Sequence, residues 1–481
     1  MGDLSDRLAF ADATEQAALV ASGEASPAEL VDAAVARIER LDPALGALVA
    51  ERFDEARAEA GGELPDGLFR GVPFLLKDAV QHSAGDRYQH GMTFLRDNPW
   101  VSPEDSELTR RYRAAGLVLL GRTKVPEFTI SPTTEPLAHG PARNPWDPER
   151  SPGGSSGGSA VAVASGMVPV AHANDMGGSI RIPASCCGLV GLKPTRGRTS
   201  PAPHGLYWGP LTHEHVVTRT VRDSAAVLDA TAGAAPGDLY GAPAPARPWT
   251  DELTAAPGRL RIAVLTERPS GRPVDPECAA AARATGELLA ELGHHVEEIA
   301  AAPLADEAGA LAMGTVTSVG LAHDADVWER RIGKPVDGLE PFPAMAVERG
   351  RATSGPAYVA AIEALAAWSR RIAAVCAPYD LVLAPTMAIL PPPLGTLSGD
   401  RPIQETLPGW SAMAEIATLF DISGAPAISL PLHRTADGLP VGVQVAAAVG
   451  REDLLFRVAA QLEEARPWRE FVPRVHASRS V

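Results

Sequence analysis

Apolar residues recur at helical spacing from Leu30 through Ala34 and Ile38 to Leu41, which puts them on one face of a helix. Ser26-Pro27-Ala28-Glu29 supplies its start, a capping box with proline at the first helical position. Together they predict a helix over 27–41. The period then changes. Arg70 to Leu76 (RGVPFLL) is short and apolar, and it reads as a buried strand ending at Lys77-Asp78. Ser106 to Ala115 returns to helical spacing and is stopped by Gly116; Leu117 to Leu120 is a strand again. A helix followed at once by a Leu-rich strand is the α/β rhythm.

Residues 140–158 are rich in Pro, Gly, Asn and Ser and read as loop, followed by a small-residue helix from Ala160 to Val168. The Pro- and Ala-rich stretch 235–258 reads as a connection. Arg259 to Leu265 is a predicted strand, Pro276 to Leu292 a helix, and 300–375 is mostly helical. Strand patterns return at Leu381 to Leu383, Ala427 to Leu430 and Val441 to Val445, before a last helix over about 451–464. No internal repeat is visible. The prediction is an α/β fold, one large central sheet covered by helices on both faces. The whole chain, 1–481, reads as one domain. It divides into an N-terminal helical segment (about 1–60), a core (about 61–234), a variable cap or insertion (about 235–375), and the returning core sheet with a C-terminal helix (about 376–481).

With 481 residues, 45% of them apolar, a large core needs no membrane to complete it. The 43 basic and 59 acidic residues leave a net charge of −16, which argues against nucleic acid and anionic lipid as partners. No stretch approaches the roughly 18 apolar residues of a membrane helix. Met1 to Glu24 carries acidic residues and no basic start before an apolar block, so no signal peptide is expected. Four cysteines, Cys186, Cys187, Cys278 and Cys376, are too few for a disulfide scaffold and read as buried thiols of a cytoplasmic protein.

The densest unusual segment runs from Ser151 to Thr195 and holds two glycine clusters, each with serine. Glycine admits left-handed backbone and close approach of a ligand. In Asp175-Met176-Gly177-Gly178-Ser179, successive N–H groups can point into one concavity suited to an oxyanion, with Ser179 Oγ beside it. Such a serine needs a base. The 12 histidines leave a Ser-His-Asp triad open, and Lys77, at the end of an apolar strand, is the other candidate. An ordinary lysine is neutral only about once in 10³ to 10⁴ molecules at pH 7, and burial can lower its pKa to ~8 at a cost of about 3 kcal/mol. Lys77 could equally pair with Asp78.

Gly153 to Gly157 and Gly154 to Gly158 both match G-x-S-x-G, but a nucleophile elbow needs a strand just before the serine. Here three prolines precede it, so the elbow is rejected. Gly191-Leu192-Lys193 and Gly333-Lys334-Pro335 do not complete a phosphate loop, and His213-Glu214-His215 and His294-His295 lack metal-ligand spacing. No metal and no cofactor is expected.

The blocks GGSSGGSA (153–160), DMGGSIRIPASCCGLVGLKPT (175–195) and GVPFLLKD (71–78) resemble the amidase-signature family. SPAELVDAAVARIERLDPALGA (26–47), GLVLLGRTKVPEF (116–128), DISGAPAISLP (421–431) and PVGVQVAA (440–447) extend the resemblance over nearly the whole chain, most weakly across 235–370. The resemblance implies a mixed central sheet and a Ser–cisSer–Lys amidase that acts on C–N bonds other than peptide bonds. Ser179 falls on the nucleophile, Ser155 on the bridging serine after a cis peptide with Gly154, and Lys77 on the base. The N–H groups of Met176, Gly177, Gly178 and Ser179 fall on the oxyanion hole. Asp175 and Arg181 flank the turn and read as a supporting ion pair.

Where many members have Gly-Thr-Asp, this chain has Ala173-Asn174-Asp175, and with Ser185-Cys186-Cys187 it is similar to the branch that includes 6-aminohexanoate-cyclic-dimer hydrolase. Asn174 and Gly154 would then contact substrate. Asp421 stands where many members have Asn. The implied activity is hydrolysis of small to medium, including cyclic, amides. Acyl transfer to an amine and the glutaminase subunit of an amidotransferase are the alternatives, and a homodimer is the implied assembly.

Overall fold

The computed structural model describes residues 7–479. Thirteen strands are formed. In the first half they are β1 (Leu48–Glu51), β2 (Pro73–Lys77), β3 (Arg87–Tyr88), β4 (Trp100–Val101), β5 (Val118–Thr123), β6 (Val170–Asp175), β7 (Val190–Lys193) and β8 (His213–Thr218). In the second they are β9 (Arg261–Val264), β10 (His295–Glu298), β11 (Leu381–Pro385), β12 (Ala427–Arg434) and β13 (Pro440–Ala447). β3 and β4 make a small ribbon; the other 11 form one sheet in the order β1-β5-β2-β6-β8-β7-β12-β13-β11-β9-β10. It is mixed, with β2 parallel to β5 and β6, β9 parallel to β10 and β11, and the remaining pairs antiparallel.

Period-2 alternation splits each strand between two cores. Leu75, Val118, Leu120, Ala171 and Val217 face one core with the helices α1 (Pro27–Leu45), α2 (Gly157–Ala164) and α3 (Arg181–Cys187). Their neighbours Phe74, Leu76, Leu119, Val170 and Val216 face the other, with Leu108 and Tyr112. In the second half, Ile262, Val264, Leu381, Leu383, Val443 and Val445 pack on the helix Pro276–Glu291 and the last helix, Glu452–Ala465. Ala263, Val382, Ala384 and Ala446 lie under α4 (Glu307–Ile332), α5 (Gly355–Cys376) and α6 (Ile403–Ser423). Helices therefore cover both faces, as predicted.

β9 and β10, from the section read as a cap or insertion, join the sheet at its edge. α2 begins at Gly157, inside the stretch read as loop, and ends at Ala164. Its glycines serve close packing: a Cβ on Gly157 would meet Thr134 Oγ1 at 2.3 Å, and one on Gly158 would meet the Ala47 carbonyl oxygen at 2.4 Å. β1, β3, β4, β6, β7, β8, β10 and α3 lie outside the predicted elements, as do the helices Ala13–Ala21, Phe53–Ala60 and Val221–Thr231. Among the described residues no helix is long and apolar enough to cross a membrane.

Candidate active site

β2 and β6 lie side by side and parallel, so the last residues of both strands arrive at the same edge. Lys77 ends β2; Asn174 and Asp175 end β6. Lys77 is fully buried and donates from Nζ to Ser155 Oγ at 2.8 Å and, by a very short bond, to Asn174 Oδ1. Ser155 follows a cis peptide bond with Gly154. The expected pairing of Lys77 with Asp78 does not occur, because Arg122 takes the Asp78 carboxylate at 2.7 Å. Burial lowers the Lys77 pKa to about 7, against the opposing charges of Glu214 and Asp175. Near neutral pH this amine is therefore available as a base.

The Gly-Gly-Ser turn leaves β6 at Asp175 and enters α3. Asp175 is its anchor. One carboxylate oxygen accepts the Gly178 N–H at 2.5 Å, and the other accepts the N–H groups of Ile180 and Arg181 at 3.1 and 3.4 Å. The Arg181 guanidinium closes the ion pair at 3.0 Å and also reaches Asp421 at 2.7 Å. Burial opposes ionisation of Asp175, but the charge and hydrogen bonds of Arg181 outweigh it and hold this carboxyl far below the usual range. Asp421 is pushed the other way, by burial and by Asp175 beside it.

This arrangement bears on three sequence expectations. The Gly178 N–H is committed to Asp175. Asn174 holds Lys77 through its amide oxygen, and its amide nitrogen has no hydrogen-bond partner among the described residues. Gly154 is buried against the backbone of Thr133, which a Cβ would meet at 2.5 Å; glycine is needed there for close approach. Ser179 is half-buried, and no hydrogen bond joins it to Ser155 or Lys77 among the described residues. Such contacts are often long without substrate and tighten when it binds. No imidazole among the described residues bonds to Ser155, Ser156 or Ser179; the imidazole–serine pairs there are His215 with Ser224 and His476 with Ser478. Ser156 instead donates to the Asn174 carbonyl oxygen at 3.3 Å and precedes α2, which is no elbow.

Sequence reasoning missed the layer behind the lysine. Glu214 on β8 pairs across the ladder with Asn174, and its carboxylate meets His172 Nε2 at 2.7 Å. Burial pushes the Glu214 carboxyl up to about 8, against the pull of Lys77. The His-Glu-His run fits this place through strand alternation: His213 and His215 face one side, Glu214 the other. The available signal was a carboxylate between two histidines directly before apolar Val216 and Val217.

The Amidase family profile matches residues 29–456. The chain belongs to the amidase family. It is 42% identical over 470 residues to 6-aminohexanoate-cyclic-dimer hydrolase of Paenarthrobacter ureafaciens, covering 95% of each chain. The enzyme of the same name from Pseudomonas sp. (strain NK87) is also 42% identical over 470 residues. A solved structure of 6-aminohexanoate cyclic dimer hydrolase superposes with a TM-score of 0.94 at 41% identity, covering 97% of this chain and 99% of that one. A bacterial aryl acylamidase of the amidase-signature enzymes gives 0.87 at 27% identity, covering 98% and 99%. This amidase is thus a hydrolase of C–N bonds other than peptide bonds, on the amidase-signature fold.

Proposed function

We propose that the protein hydrolyses small to medium carboxylic amides, cyclic ones among them, through an acyl-enzyme on Ser179. The observation that carries this is the buried Lys77 amine, donating to Ser155 at 2.8 Å beside the Gly-Gly-Ser turn. Neutral Lys77 takes the Ser155 proton as Ser155 takes that of Ser179. Ser179 Oγ attacks the amide carbonyl, and the oxyanion is received by the N–H groups of Met176, Gly177 and Ser179. The C–N bond breaks as the relay returns a proton to the leaving amine. Water then cleaves the ester, releasing the acid and restoring Ser179.

Cyclic amides enter the proposal because the relatives above are named for hydrolysis of a cyclic dimer. The variable section over about 235–375 is proposed to select substrate, since α4 brings Met313 to within 4.0 Å of a Cβ placed on Gly177. A cytoplasmic setting accords with the free cysteines, and a homodimer is proposed from family likeness alone. Incubation with a cyclic diamide, followed by chromatography of the products, tests the reading. A ring-opened amino acid amide is expected, and its absence at every enzyme concentration would remove cyclic amides from the proposal.

A further inference from the structure

Further along α4 from Met313 lies a cavity of about 410 Å³ whose walls are aromatic. Tyr88 and Trp328 stack at 5.3 Å between ring centroids, and Tyr207 and Trp208 stack at 5.8 Å. Gly320 permits this packing, for a Cβ there would meet the Trp208 ring at 2.7 Å. Among these rings sits one carboxylate, Asp324, only 6% exposed. Tyr207 Oη donates to it at 2.7 Å and Trp208 Nε1 at 2.9 Å, both to Oδ2. Oδ1 accepts from none of the described residues, and no lysine or arginine among them pairs with Asp324. A buried carboxylate without a counter-charge is costly, and two neutral donors offset only part of that cost.

We propose that this cavity binds an organic ammonium group, and that it takes the amine-bearing end of an elongated amide substrate, an assignment to substrate that rests on the proposed function above. Aromatic rings in the wall and a carboxylate without a paired lysine or arginine are the two elements of ammonium recognition. The cavity lies off the Gly-Gly-Ser turn: Met313 and Asp324 are about 16 Å apart along the helix axis, so the amine is carried on a spacer. Other charged and titratable groups face the site. The pKa values of His82, His90 and His204 are lowered first by burial. His323 and Tyr358 line the wall. Arg331 lines it too, its guanidinium 4.7 and 5.0 Å from the ring centroids of Trp100 and Trp328, and its charge and that of His323 act on Asp324 without pairing with it. A carboxylate ligand drawn to Arg331 is the rival occupant.

Calorimetry at pH 8 with phenethylammonium chloride, 2-phenylethanol and 3-phenylpropionate decides between them on the intact protein. The ammonium is expected to bind about tenfold or more tightly than the alcohol, and Asp324→Asn is expected to erase that preference. Binding of the ammonium should also weaken as pH falls through about 6, because burial raises the Asp324 pKa to that value and protonation removes its charge. This arm needs no variant and stands if Asp324→Asn does not fold. Equal binding of ammonium and alcohol, preference for the carboxylate, or an unaltered preference in Asp324→Asn would overturn the site. For the substrate, kcat/KM is compared between p-nitroanilides of an ω-amino acid and of the same chain ending in methyl. A preference of about tenfold for the amine, lost in Asp324→Asn, is expected; equal rates overturn the assignment to substrate. If the wild type cleaves neither anilide nor any other amide, the proposed function fails, while the calorimetry still decides the site.

Discussion

At the ends of β2 and β6, polar side chains are buried and tied to one another: Lys77 to Asn174 and Ser155, Asp175 to Arg181, Arg181 to Asp421. Across the turn, α4 faces the same site with Met313 and, farther along, leaves Asp324 without a paired lysine or arginine among the described residues. The first region is locked by bonds that a single substitution would leave unsatisfied. The second is shaped mainly by packing, which tolerates exchange. Chemistry that must be the same for every substrate belongs on the locked part, and selection of substrate on the packed part.

If that division is right, variants of the two regions fail differently. Ser179→Ala should lower turnover by about 10⁴-fold or more with the fold intact by circular dichroism. Lys77→Ala should cost roughly 10²- to 10⁴-fold in kcat/KM, the usual range for loss of a general base. In the wild type, kcat/KM should rise with pH through about 7, as the proton leaves Lys77. The sign follows from the lowered pKa: below it Lys77 is charged and cannot accept a proton. A flat profile from pH 5 to 9 would deny Lys77 that role.

On the packed side the effects are smaller and sit in KM. Met313→Ala should change KM for bulky amides by about 3- to 10-fold and leave kcat within about twofold, measured by steady-state kinetics. A fall in kcat as large as that of Lys77→Ala would erase the contrast between the regions. Asp421→Asn should be the mildest. Burial and Asp175 push the Asp421 pKa up, and an amide oxygen can take the place of the carboxyl oxygen that accepts from Arg181; stability within about 1 kcal/mol of wild type is expected in urea unfolding.

The same contrast governs what was legible in the sequence. α1, β2, β5 and β11–β13 follow apolar periodicity and a capping box, and packing decided them. β6 (VAHAND) is wholly buried yet alternates small with polar residues, because His172 and Asn174 serve the lysine. Its pattern resembled a loop for that reason. Ser155 and Ser179 were singled out through the glycine-serine blocks, whose backbone needs admit few other residues, and Lys77 through its place at the end of an apolar strand. Gly178's commitment to Asp175 was not, since the direction of an N–H depends on a carboxylate's rotamer. Asp324 was hidden in an ordinary helical stretch: its significance lies in Tyr207 and Trp208, more than a hundred residues earlier in the chain.

The most direct test is mass spectrometry of the intact protein after exposure to a fluorophosphonate, in the wild type, Ser179→Ala and Lys77→Ala. A single adduct on Ser179 is expected, absent from Ser179→Ala and formed far more slowly in Lys77→Ala. An adduct on Ser155 or Ser156 that survives Ser179→Ala, or no adduct at all, would contradict the account.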